Sequence, residues 1–267
     1  MIIWKMHSCG NDYCVIPYDN ELDFNELAIK LCNRYTGIGA DGLIVVKDNP
    51  IELLCYNFLG ERIMINGSAV FCFTKYCLEH DMIKKNKLNM ISGGNKITAD
   101  VTSRYPFYCK VLMGKPIFSN SMLYINDCID SFGRVLDLND RTITVYSLFF
   151  GRVHTVIFVP DFESELLNYA EKISKHKIFN RYTNVSFVQI KNKSKISVKT
   201  YEINIGFTKS SATGCCAAAI AGYKMGLLNN NVAVELEYGT LEIEYLKDCV
   251  YITGPAHKTF ECEYEGE

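Results

Sequence analysis

Two short turns carry the residue types best suited to chemistry in this chain. One reads Asn66-Gly67-Ser68-Ala69 and the other Ser211-Ala212-Thr213-Gly214. Each places small polar residues and glycine just before an apolar run, a pattern that leaves backbone N–H groups free at a helix start. Free amides and the positive end of a helix dipole attract anions, so two such turns facing one cleft would hold a carboxylate. Ordinary caps on two core helices would produce the same pattern. Thiols are the other reactive groups. The twelve cysteines lie at 9, 14, 32, 55, 72, 77, 109, 128, 215, 216, 249 and 262, with no CxxC pair and no Cys/His spacing of a zinc site. They are expected to be reduced and buried as small hydrophobes, with no metal.

The elements behind the two turns are unusual. Residues 68–79 and 213–227 are apolar nearly all round, as in Ala69-Val70-Phe71-Cys72-Phe73 and Cys215-Cys216-Ala217-Ala218-Ala219-Ile220-Ala221. A helix apolar on every face is a buried one. Two further helices are expected over 25–35 and 164–174 from their apolar spacing. Runs such as Gly42-Leu43-Ile44-Val45-Val46 and Val185-Ser186-Phe187-Val188-Gln189-Ile190 read as strands. Two similar helix starts, each within strand-rich sequence, suggest an internal duplication. The fold predicted is α/β (α+β), with two pseudosymmetric lobes that each wrap a barrel-like sheet around a central buried helix. The first lobe is expected over 1–114, with 255–267 returning to it, and the second over 115–254.

Bulk properties exclude several classes of function. The net charge is −2 and the longest basic cluster is Lys84-Lys85-Asn86-Lys87, so no case arises for nucleic acid or an anionic membrane. No apolar run reaches the ~20 residues of a membrane span, and the start Met1-Ile2-Ile3-Trp4-Lys5 lacks a secretory layout. A cytoplasmic location is expected.

Six segments, taken in order, resemble the diaminopimelate epimerase family. Lys5-Met6-His7-Ser8-Cys9-Gly10-Asn11-Asp12-Tyr13 is similar to its opening K-M-H-G-x-G-N-D-F, and Leu31 to Gly42 to its L-C-D-R…G-x-G-A-D-G segment. Asn57 and Gly60 stand at the family's distance before the first buried helix. Gly151-Arg152-Val153-His154 occupies the place of G-N-P-H, and Thr183-Asn184-Val185-Ser186-Phe187-Val188 that of T-N-V-N-F-V. Tyr201-Glu202 to Ala218 runs in register with Y-E-R-G-x-G-E-T-x-A-C-G-T-G-A-C-A-A. The resemblance implies a cofactor-independent isomerase that binds a small amino-acid-type carboxylate between its lobes, and often a homodimer. It also implies a thiolate that removes the α-proton and a thiol that returns one from the opposite face.

Neither of those cysteines is present. In register, the first falls on Asn66 and the second on Ser211, while Cys72 and Cys216 match cysteines inside the motifs' helices. An amide is no base, and a serine hydroxyl needs an adjacent base to activate it. The arginine expected after Tyr-Glu is Ile203, and the asparagine of G-N-P-H is Arg152. One cation is lost and one gained, either as a swap within one pocket or because the ligand has no distal carboxylate. Asn11, Asn57, His154, Asn184 and Glu202 are retained as candidate binding residues, and Gly67, Ser68, Ala212 and Thr213 as the carboxylate cradle. Two functions follow. The first is a racemase/epimerase-type or other α-proton isomerase that uses no PLP and has altered catalytic residues. Its base would be Ser211, polarised by its helix terminus and by Lys209, with His7, Cys9 and Cys215 in reserve. The second is an inactive amino-acid-binding or regulatory homologue. True diaminopimelate epimerase activity is the third and least favoured reading.

Overall fold

The computed structural model describes residues 1–63, 67–83, 85–125 and 130–265; Asn66, Lys84 and Cys128 lie outside the described residues. The chain forms two compact units, Met1–Leu112 with Thr253–Glu267, and Met113–Ile252. The first unit contains β1 (Ile2–Ser8), β2 (Asn11–Pro17), α1 (Phe24–Cys32), β3 (Gly42–Asp48), β4 (Ile51–Asn57), β5 (Arg62–Ile63), α2 (Gly67–Glu79), β6 (Lys87–Ser92), β7 (Asn95–Arg104) and β8 (Phe107–Gly114). Next come β9 (Phe132–Asp137), β10 (Thr142–Phe150), β11 (Arg152–Phe158), a 3-10 turn (Glu165–Tyr169), α3 (Ala170–Ser174), β12 (Asn184–Asn192), β13 (Lys195–Glu202) and β14 (Gly206–Thr208). The series closes with α4 (Ala212–Lys224), β15 (Asn231–Leu236), β16 (Gly239–Leu246), β17 (Cys249–Pro255) and β18 (His257–Glu263), the last of which returns to pair with β1.

The pairing pattern occurs twice. In the first unit β1–β2 is antiparallel, β2–β3 parallel, β3–β4 and β4–β5 antiparallel, β4–β6 parallel and β6–β7 antiparallel. In the second, β10–β11, β11–β12, β12–β13, β13–β14, β13–β15 and β15–β16 repeat that order of orientations. The parallel steps need crossovers. Helices α1 and α2 supply them in the first unit; the 3-10/α3 segment and α4 do so in the second. The two lobes are therefore pseudosymmetric, and α2 corresponds to α4.

Both long crossover helices are central. Helix α2 packs on β1–β4 and β7, and α4 on β10–β13, β15 and β16. Residues Ala69 to Phe73 and Cys215 to Ala218 are 0% exposed, as their all-round apolar sequence requires. A second apolar layer covers the opposite sheet face in each unit. Phe24, Leu27, Ala28 and Leu31 of α1 pack on Ile3, Ile16, Leu43 and Val45. Ala170 and Ile173 of α3 pack with Val153, Ile157, Val185 and Phe187. Sheets buried on both faces explain the unbroken apolar strands.

Three helix ends differ from expectation. Helix α1 stops at Cys32 rather than at residue 35, because Asn33 is extended (ψ 121°) and its Oδ1 accepts the Tyr35 and Thr36 amides. The segment 164–174 begins as a 3-10 turn capped by Ser164, and α3 proper is only five residues long. Helix α4 stops at Lys224 rather than Leu227, because Gly226 (φ 69°) turns the chain and the Leu227 amide bonds back to the Gly222 carbonyl. None of the eleven described cysteines is in a disulfide. No helix among the described residues is long and apolar enough to cross a membrane.

Candidate active site

In the second unit the sequence-selected residues gather on one side of the sheet. A Cβ at Gly214, in the first turn of α4, would meet Thr200 Oγ1 and Ser186 Oγ, so these two hydroxyls face the helix. Ser186 pairs with Val156 and Asn184 with His154. Strand side chains alternate, so Arg152, His154, Asn184 and Glu202 project toward the same end of α4. Asn184, 2% exposed, accepts the Ile203 amide on Oδ1 at 3.2 Å and thereby holds the strand end that carries Glu202.

Ser211 is the N-cap of α4. Its Oγ accepts the Gly214 amide at 3.3 Å, and its hydroxyl lies near enough to the Glu202 carboxylate to work against the rise in that group's pKa. Burial raises the pKa of Glu202; the Ser211 hydroxyl and the nearby charge of Arg152 offset only part of that rise. The serine that sequence reasoning left in need of a base therefore has one. Lys209 does not polarise it: the ammonium is exposed, pairs with Glu237 at 2.8 Å and lies over the Tyr238 ring. No acidic residue stands in the first turn of α4, so the helix dipole is unopposed there. Arg152 is exposed and forms no ion pair among the described residues. Ile203 is partly buried and supplies no charge, Ala212 is 4% exposed, and Thr213 is partly exposed at the helix mouth.

His154 is fully buried, and neither ring nitrogen has a hydrogen-bond partner among the described residues. Desolvation, with the charge of Arg152 added, pushes its pKa down to about 3, so the ring is neutral at physiological pH. Ser210, 6% exposed at the same helix start, also has an unpartnered Oγ. Sequence reasoning missed it, although a second serine before the cap was a visible signal.

The first unit places Asn11 at the head of β2, after a turn through Cys9 (φ 49°) and Gly10 (φ 89°), and buries Gly67 and Ser68 at the start of α2. Asn57 is occupied by its own turn. Its Oδ1 accepts the Leu59 amide at 3.0 Å and the Glu61 amide at 2.9 Å, and its Nδ2 donates to Glu61 Oε2 at 2.8 Å. His7 stacks on His257, with centroids 5.1 Å apart, and its pKa is lowered by burial and by that neighbour. Burial pushes the thiols of this unit up: Cys9 to about 11, Cys55 and Cys109 to about 12, and Cys72 further still. The network that fixes the β1–β2 turn escaped the sequence reading. Asp12 takes Lys5 at 2.6 Å and Arg34 at 2.8 and 3.2 Å, and Arg34 also reaches Asp41 at 2.7 Å. The signal was there, in charged residues set inside otherwise apolar motifs.

These features can be set beside known proteins. The family model for diaminopimelate epimerase matches residues 3–119 and 146–259. The diaminopimelate epimerase of Caldanaerobacter subterraneus subsp. tengcongensis is 32% identical over 98% of each chain. Among solved structures, a probable proline racemase from Agrobacterium radiobacter, with bound carbonate, superposes with a TM-score of 0.71 at 13% identity, covering 100% of this chain and 93% of that one. A hydroxyproline epimerase from Agrobacterium vitis, with bound trans-4-hydroxy-L-proline, gives 0.70 at 12% identity, over 98% and 91% of the two chains. The doubled topology, the polar cluster at the mouth of α4 and the near full-length sequence match agree: this chain belongs to the diaminopimelate epimerase family, isomerases that work without pyridoxal phosphate.

Proposed function

We propose that this protein is a cofactor-independent isomerase of α-proton chemistry, acting on a small amino-acid-type carboxylate with catalytic groups unlike those of its relatives. The nearness of the Glu202 carboxylate to the Ser211 hydroxyl at the start of α4 carries the reading. A desolvated carboxylate with a raised pKa is a better proton acceptor near neutral pH than an ordinary one. Ser211, fixed by the Gly214 amide, orients it. The ligand carboxylate would be held by amides at the start of α4, around Ala212 and Thr213, where developing enolate charge meets aligned N–H dipoles. Arg152 is the free cation for a second anionic group, in place of the arginine that Ile203 replaces. Asn66 has no acid–base capacity, and Asn184 and His154 support the pocket wall of the second unit.

A second reading, an amino-acid binder without turnover, is favoured by the thiols: every buried cysteine with a shifted pKa is pushed up, so none offers a thiolate at neutral pH. One experiment separates the two. The protein is incubated with a panel of amino acids in D2O and the α-proton followed by NMR, with calorimetry on the same panel. Exchange that disappears in Glu202→Gln supports the isomerase; binding without exchange supports the binder.

A further inference from the structure

The two ends of the chain meet within the first unit, and a histidine stands on each side of the meeting. β1 and β18 run antiparallel, with Ile2 opposite Glu263 and Lys5 opposite Phe260. The register then slips by one residue, so Met6 faces Lys258 and His7 faces His257. Without that bulge His7 would stand opposite a lysine. Instead Lys258 turns to the other sheet face, where its ammonium lies 3.6 Å from the centre of the Trp4 ring, and two imidazoles are left side by side. Their centroids are 5.1 Å apart and their planes 27° from parallel. That spacing suits a shared cation. A zinc–nitrogen bond of about 2.0–2.1 Å puts the ion about 3.2 Å from the centre of each ring, and two such rings at a tetrahedral angle have centres about 5.2 Å apart.

The surroundings allow it. His7 is half-buried, and its Nδ1 has no hydrogen-bond partner among the described residues, so a lone pair there is uncommitted. His257 is exposed, which leaves the pair open to an ion from solvent. Nearby charge is balanced. Lys5 and Arg34 are both paired with Asp12, and Arg34 with Asp41 as well. Asp12 stands opposite His7 on β2, but its oxygens are taken by those two cations. No group of three or more His, Cys, Asp or Glu among the described residues is set to hold a metal. We propose that His7 and His257 together bind a divalent transition ion of the zinc class, with water in the remaining positions. Imidazole nitrogen suits zinc, nickel and copper, whereas magnesium and calcium take oxygen ligands. An ion held there ties the first strand to the last and favours the folded chain by mass action. The site lies within the first unit and is independent of the isomerase reading.

The test uses the full chain, stripped with EDTA and dialysed, and zinc chloride as the probe. Calorimetry should show zinc binding that His257→Ala weakens by about 10-fold or more. Because His257 is exposed, this variant keeps the fold, and its thermal midpoint without metal should match the parent. Zinc should raise the midpoint of the parent and leave that of His257→Ala nearly unchanged, while magnesium moves neither. Ring-nitrogen NMR locates the ion: of the five histidines, His7 and His257 should shift together. Equal affinity in the parent and His257→Ala would overturn the site, as would an absence of binding at millimolar zinc. Shifts confined to other histidines would overturn it too. An ion held by thiols alone would leave both rings unshifted and would count against it in the same way.

Discussion

Gly214 and Thr200 lie so close that a Cβ added to the glycine would stand 2.5 Å from Thr200 Oγ1. That approach brings the first turn of α4 down onto β13, and with it Ser211 onto Glu202. Gly214→Ala is expected to destabilise the protein by about 1–3 kcal/mol through overpacking and to weaken amino-acid binding more than its stability loss explains. Thr200→Ala in the same chain should recover part of both. Thermal midpoints and calorimetric affinities of the single and double variants measure the coupling.

Ser211→Ala removes an N-cap and should lower stability by about 1 kcal/mol. The Ser211 hydroxyl helps to hold the Glu202 pKa down, so its loss should move that carboxyl further up. Carbon-detected NMR titration of the Glu202 side chain in both proteins tests the direction; an unchanged or lower midpoint would contradict the influence of Ser211 on that carboxyl.

His154 sets a pH limit. Its folded pKa, about 3, lies below the ordinary value of 6.5, so between these values the unfolded chain binds the extra proton. Stability should therefore fall as pH drops below about 6.5, with a slope of up to about 1.4 kcal/mol per pH unit from this group. Urea unfolding across pH 4–7 should show a shallower dependence in His154→Leu than in the parent.

The turn before β2 depends on Asp12. Burial works to raise its pKa, but Arg34 and Lys5 outweigh burial and bring it down to about 2. The stabilisation is complete above the unfolded carboxylate pKa of about 3.9 and is lost as pH falls through about 2. Asp12→Asn should cost about 2 kcal/mol at neutral pH, read as a lower urea midpoint, because Lys5 is then left nearly buried without its charge partner.

Much of the frame was legible because the physics behind it is local. The apolar runs at Ala69–Phe73 and Cys215–Ile220 reveal buried helices, and the two glycine turns reveal the repeat. The base beside Ser211 was not legible, since a hairpin separates Glu202 from Ser211 and only strand pairing brings them together. Lys209 seemed the nearer partner in sequence, yet it sits on an exposed position where Glu237 is closer. The early stop of α4 depended on Gly226 adopting positive φ, which a glycine permits without announcing.

The pairing of β18 with β1 has a consequence for synthesis. The second unit is one unbroken stretch of chain and holds everything it needs once residue 252 has left the ribosome. The first unit, although translated earlier, must wait for the final strand to complete its sheet. Closure at the N-terminal end should thus be the later event, and a chain shortened by its last dozen residues should leave the α1 half loosened and the α4 half intact.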